Sequence, residues 1–232
     1  GGIVEVVEFH NAALDHYFIS ADPGEIAVLD GGAFGGAWKR TGATFPAWDV
    51  SGSPAGTVPV CRFFGTDKYR GDGSRIGPNS HFYTADPAEC DYVKVAWQSI
   101  ANDGMSYAAW TFEANAFVVA PPAGGTCAAD GQPLYRAYNN AAKGDPNHRY
   151  AANPAVLQTM PGWVFEGLVM CLPPRSVVHV SASRGDDTNA GTRVAPLKTI
   201  QRGLDLAAAN GGGVVRIAGG AYSGALTLRS NV

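Results

Sequence analysis

Three histidines recur at a near-constant distance: His16 and His81 are 65 residues apart, and His81 and His148 are 67 apart. If the segments that carry them surround a common axis, three imidazoles could converge as a three-histidine metal centre requires. The plainer alternative gives each ring a backbone carbonyl as partner and a neighbouring aromatic to pack on. We expect the plainer one, with no metal at these positions. His10 aligns with Phe64 and Tyr138 and reads as a packing residue.

Carboxylates come next, because glycoside cleavage runs on pairs of them. Glu25 and Glu89 each follow an Asp-Pro dipeptide, where they complete a helix-capping box by reaching back to the cap. Glu113 and Glu166 recur in a Trp-led strand, where a structural role is expected. Asp186 and Asp187 lie in a polar turn, and calcium is the cation such oxygens would take. No nucleophile elbow, phosphate loop or dinucleotide fingerprint occurs, so no catalytic residue is assigned. The remaining chemistry is aromatic. Tyr17, Tyr83, Tyr150, Trp38, Trp110 and Trp163 recur beside amides such as Asn79, Asn139, Asn140 and Asn147, and ring faces with amide hydrogen bonds suit sugars.

These residues sit in three copies of one unit. Each copy opens on an alternating strand: Val6-Val7-Glu8-Phe9-His10-Asn11, Val60-Cys61-Arg62-Phe63-Phe64-Gly65, and Leu134-Tyr135-Arg136-Ala137-Tyr138-Asn139. An aromatic cluster follows: His16-Tyr17-Phe18-Ile19, His81-Phe82-Tyr83-Thr84 and His148-Arg149-Tyr150-Ala151. Then come the helix starts Asp22-Pro23-Gly24-Glu25, Asp86-Pro87-Ala88-Glu89 and the weaker Asn153-Pro154, with Asp or Asn as N-cap and Pro at the first helical position. Strands led by Trp38, Trp110 and Trp163 close the copies, which span about 4–58, 59–132 and 133–173. No copy could bury its aromatic face alone, so three should pack about a shared core, trefoil-like or like a small propeller.

The H-F-Y-T, D-P-x-E and W-x-x-E-G signatures resemble an uncharacterised bacterial repeat family of extracellular proteins, often present in threes. Arg149 and Thr41 depart from its pattern, replacing an aromatic and a Glu respectively. The resemblance implies fold and location and carries no activity with it.

Beyond Pro173-Pro174 the texture changes, and we expect a domain junction there, giving units 1–173 and 174–232. A strand over Val177-Val178-His179-Val180-Ser181 precedes the polar turn. An amphipathic helix over 196–209 is ended by Gly211-Gly212-Gly213, and strands follow at Val214-Val215-Arg216-Ile217-Ala218 and Leu226-Thr227-Leu228. This order resembles the start of pectate-lyase-like right-handed parallel β-helix proteins, in which the helix caps the solenoid and the strands form the first coils. The resemblance implies an open edge at Val232, covered by further chain or by self-association. The opening Gly1-Gly2-Ile3 is expected to be a mature or trimmed end.

Composition sets limits on partners. With 30 Gly, 15 Pro and only 16 % charged residues, the chain suits short strands joined by turns, a mainly β fold. A net charge of −3 offers no basic field for nucleic acid. Apolar runs such as Ala116 to Ala120 fall far short of the roughly 20 residues that span a bilayer, so no membrane insertion is expected. Four cysteines without C-x-x-C spacing favour two disulfides in an oxidising compartment; of three pairings we expect Cys61–Cys90 and Cys127–Cys171. The functional expectation is therefore a secreted or cell-surface recognition or attachment module, binding a polysaccharide or cell-surface glycan. The alternatives are the amino-terminal part of a polysaccharide lyase or hydrolase, and a structural subunit of a surface assembly.

Overall fold

The computed structural model describes residues 2–128, 131–174, 176–210, 213–229 and 232, with Lys143 described by its backbone alone. The fold is mainly β. The first copy runs β1 (Ile3–Asn11), β2 (His16–Ser20), α1 (Pro23–Asp30) and β3 (Trp38–Trp48). The second runs β4 (Val58–Gly65), β5 (His81–Thr84), α2 (Pro87–Val93), the short β6 (Ser99–Ile100) and β7 (Ser106–Tyr107), and β8 (Trp110–Val119). The third runs β9 (Gln132–Tyr138), β10 (His148–Ala151), α3 (Pro154–Gln158) and β11 (Val164–Leu172).

In every copy the opening strand lies in the middle of an antiparallel three-strand sheet, between the aromatic strand and the Trp-led strand. The first two sheets join through Trp48 opposite Val118, and the third meets β8's end through paired hydrogen bonds between Ala120 and Cys171. The sheets remain open and do not close into a barrel. Their inner faces share one core, which takes Val6, Phe9 and Ile19 from the first copy, Val60 and Tyr83 from the second, and Leu134, Tyr150 and Met170 from the third.

The caps form as the sequence indicates. Asp22, Asp86 and Asn153 each have extended backbone and accept a backbone N–H from the first turn of the helix they precede. The Glu side chains do not reach back, which corrects the capping-box expectation for Glu25 and Glu89: both turn away to Arg residues of the following copy.

β12 (Ser176–Val180) and β13 (Gly213–Ile217) pair in parallel, with α4 (Ile200–Ala209) connecting and packing on them. The helix begins later than the sequence suggests, because Thr199 is its N-cap and Leu197 is buried ahead of it. A methyl at Gly203 would stand 2.6 Å from Val180 Cγ2, so only glycine lets α4 approach β12 this closely. Leu226-Thr227-Leu228 is irregular, a second correction. Gly211 and Gly212, read as a terminator, lie outside the described residues.

Candidate functional site

The three copies repeat one pattern of strand pairing, and that pattern aligns them differently from histidine identity. His81 lies opposite Phe64, and His148 opposite Tyr138, but in the first copy Tyr17 lies opposite His10 and His16 is one position earlier. The ring contacts agree: His10 stacks on Tyr17 at 4.4 Å between centroids and Tyr138 on His148 at 4.9 Å, while Phe64 lies tilted against His81 at 4.8 Å. The first copy carries one additional residue between its histidine and its cap. Since one residue of slip sends a strand's side chains to opposite faces, His16 cannot occupy the place of the other two. The three-histidine arrangement is not formed, and among the described residues no group of three or more His, Cys, Asp or Glu could hold a metal ion.

With that register, each junction between copies has the same form. Phe18 faces His81 at 4.7 Å and lies under the Arg62 guanidinium at 5.9 Å; Phe82 faces His148 at 4.9 Å and lies under Arg136 at 5.2 Å. The third equivalent is Arg149, which covers the Tyr17 ring at 4.2 Å and pairs with Glu8. Glu25 of the first copy pairs with Arg62 of the second, Glu89 of the second with Arg136 of the third, and Arg149 of the third with Glu8 of the first. The ring of ion pairs thus closes on itself with its last member reversed in sign. In the shared core, the Tyr150 hydroxyl donates to Tyr83 O at 2.6 Å, and the Tyr83 hydroxyl donates to Ile19 O at 2.6 Å. Burial raises the titration of both phenols, which remain donors.

Where the first two copies meet, a cleft of about 630 Å³ opens. Its walls carry the rings of Phe18, Trp38, Phe64 and Phe34, and its polar lining includes Asn79, Ser80, His81, Glu25 and Glu113. Phe34 stands at the mouth, 75 % exposed, on a backbone with φ 55° that β-carbon-bearing residues rarely adopt. Trp38 meets Phe18 edge-on at 6.0 Å. Arg62 binds both carboxylates of the wall: its Nη1 is 2.8 Å from Glu25 Oε2 and its Nε is 2.9 Å from Glu113 Oε2. Ser20 donates to the same Glu25 oxygen, and His81 Nε2 lies 3.3 Å from the same Glu113 oxygen. Burial works to raise the Glu113 carboxyl, but His81 and Arg62 outweigh it and hold it below the usual carboxylate range.

Of the six aromatic residues nominated from the sequence, Tyr17 and Trp38 line the cleft. Trp163 packs edge-on against Tyr17 at 5.7 Å. Tyr83, Tyr150 and Trp110 are buried, the tyrosines in the shared core and Trp110 under Phe82, so none presents a face to a ligand. Phe34 escaped the sequence reading because it lies outside the repeated motifs; a large apolar residue among Gly31, Gly32, Gly35 and Gly36 was the available signal. Of the two acids in the polar turn, Asp186 accepts from Thr188 N and Oγ1, and Asp187 from Lys198 N, Thr199 N and Thr199 Oγ1. They brace the approach to α4, and the calcium reading gains no cluster there. Both expected disulfides are present, Cys61–Cys90 and Cys127–Cys171, and two such bonds fit an oxidising, extracellular environment.

Comparison with known families gives two partial matches. A domain of unknown function (DUF5648) matches residues 98–180, and a protein family of unknown function (DUF1565), associated with β-helix proteins, matches residues 183–228. No curated protein and no solved structure matches the chain.

Proposed function

We propose that the chain is a secreted recognition module that binds a glycan in the cleft between its first two copies and carries it in front of a β-helix. The observation that bears the proposal is the cleft itself: about 630 Å³, lined by the rings of Trp38, Phe34, Phe18 and Phe64 together with polar groups such as Asn79, Ser80 and Glu113. Flat rings cover the apolar faces of a pyranose while amides and carboxylates take its hydroxyls, the combination that ligand pockets use for orientation. Holding Phe34 in a left-handed conformation costs about 1–3 kcal/mol, and sites that keep such strain are enriched in function. The copies form a pseudo-threefold unit over 1–173, and the β12–α4–β13 unit, with its match to a β-helix-associated family, supports a solenoid beginning at 174–232. The two disulfides support secretion.

A glycan array with the purified chain, followed by titration of its tryptophan fluorescence, tests the proposal. A bound oligosaccharide should lose at least about tenfold in affinity on Phe34→Ala or Trp38→Ala, the loss of one well-placed ring contact. An array without binders, or binding indifferent to both substitutions, overturns it.

A further inference from the structure

The cleft's charge pattern is independent of its ring pattern. Among the described residues no Lys or Arg belongs to the lining; the carboxylates there are Glu25 and Glu113, accompanied by His16 and His81. Arg62 stands behind the two carboxylates with its side chain only 14 % exposed, and both are tied to it. The contacts that hold these carboxylates run to Oε2: Ser20 and Arg62 on Glu25, Arg62 and His81 on Glu113. About a third of each side chain is accessible, so a ligand in the cleft can reach both carboxylates. While His81 is neutral, two carboxylates against one guanidinium leave the wall with an excess negative charge.

Resting on the glycan reading, we infer that the cleft selects a sugar unit bearing a protonated amine and rejects uronic acids. An ammonium entering between Phe18, Phe64 and Trp38 is attracted by the ring faces and by the two carboxylates at once. A uronate in the same place meets Glu25 and Glu113 and finds no Lys or Arg in the lining among the described residues, because the Arg62 guanidinium is already shared between the two carboxylates. Burying an unpaired anion beside two others is the costly case. The cleft is therefore unsuited to the acidic polysaccharides that a lyase would cleave, whatever lies in the β-helix unit.

The test compares three oligosaccharides of equal length by calorimetry on the full chain: oligomers of glucosamine, of N-acetylglucosamine and of galacturonate, at about pH 7, above the ordinary histidine value and below the ordinary amine value. The glucosamine oligomer should bind at least about tenfold more tightly than the galacturonate oligomer, and the gap should narrow as salt is added, since part of it is electrostatic. Glu113→Gln should weaken glucosamine binding more than N-acetylglucosamine binding. Glu25→Gln gives the same reading if the first variant folds poorly, and the salt dependence of the unaltered chain needs neither. Galacturonate binding as tight as glucosamine overturns the inference. Binding that needs Phe34 and Trp38 but shows no preference for the amine also overturns it, while leaving the glycan reading standing. Failure of all three sugars to bind removes the inference, and the glycan array then decides the reading beneath it.

Discussion

Glu8 and Arg149, 141 residues apart, form a two-pronged ion pair, with Glu8 Oε1 2.9 Å from Nη2 and Oε2 3.0 Å from Nε. Glu8 is 2 % exposed, and Thr41 donates a further hydrogen bond to its Oε1. At the other two junctions the corresponding strand position is Arg62 or Arg136 and the partner is a Glu. Arg149, Glu8 and Thr41 are thus one coordinated exchange that preserves pairing with reversed sign. Removing one member strands a buried charge, so Glu8→Ala should cost about 3–5 kcal/mol in urea unfolding. The double exchange Glu8→Arg with Arg149→Glu should recover part of the loss of either single change, and strict additivity across that cycle contradicts the pairing.

The same residues mark how far the sequence could be read. The strand, aromatic strand, cap and Trp strand of each copy are local patterns, fixed by period-2 alternation and by Asp or Asn before Pro, and they form where read. The departures Arg149 and Thr41 were visible too, but as isolated exceptions. Their meaning depends on a shared partner, Glu8, 33 residues from Thr41 and 141 from Arg149, which packing brings together and spacing does not encode. The histidine register was open to a finer reading: Asp22 follows His16 by six residues, while Asp86 and Asn153 follow His81 and His148 by five. Burial decided the rest, since a repeated Tyr reads alike whether it faces solvent or, like Tyr83, the shared core.

The shared core gives a second prediction. The Tyr150 hydroxyl accepts from Tyr83 N at 3.1 Å and donates to Tyr83 O. Tyr150→Phe strips the partner from both the N–H and the C=O of buried Tyr83 and should cost about 1–3 kcal/mol. Tyr83→Phe, which releases only Ile19 O, should cost less. Thermal melts in which the two variants match, or in which Tyr83→Phe is the worse, refute this account.

His148 should make the fold acid-sensitive. Burial first, and Arg136 second, push its imidazole down to about 3; Glu166, 3.7 Å from Nε2, is engaged by Arg136. In the unfolded chain the ring titrates near about 6.5. Below that value the unfolded state binds a proton that the folded state does not, so stability falls with falling pH, by about 1.4 kcal/mol per unit, until the folded value is reached. His148→Gln should lose less stability than the unaltered chain between about pH 7 and about pH 5. Equal slopes in urea titrations at the two pH values speak against a neutral, buried imidazole.

Cys61–Cys90 ties β4 to α2 across 29 residues, and Cys127–Cys171 ties the approach to β9 onto β11 across 44. Loop closure of these lengths is worth about 3–4 kcal/mol each. A reductant should therefore lower the melting temperature markedly, and the paired Cys61→Ala, Cys90→Ala variant should account for about half of that drop. Peptide mapping without reduction checks the connectivity, and a Cys90–Cys127 peptide is incompatible with it.

The last prediction concerns the junction at Pro173-Pro174. Every member of the two hydrophobic clusters of the repeats lies at or before Leu172, whereas the cluster of the β12–α4–β13 unit takes all its members, from Val178 to Tyr222, from beyond the prolines. Apolar burial is the dominant favourable term in folding, so two clusters without shared residues should unfold without strong coupling. They are unequal. The repeat side holds both disulfides and the ring of ion pairs, while the other side buries Val178, Val180, Leu197 and Ala207 under a single helix, too little to offset the chain entropy of its own ordering. Residues 1–173 expressed alone should therefore melt cooperatively, close to the full chain, and keep whatever the cleft binds. Residues 174–232 alone should show no cooperative transition by circular dichroism. A cooperative melt of the isolated 174–232 segment, or a 1–173 fragment that fails to fold with its disulfides formed, removes the junction from where the prolines place it.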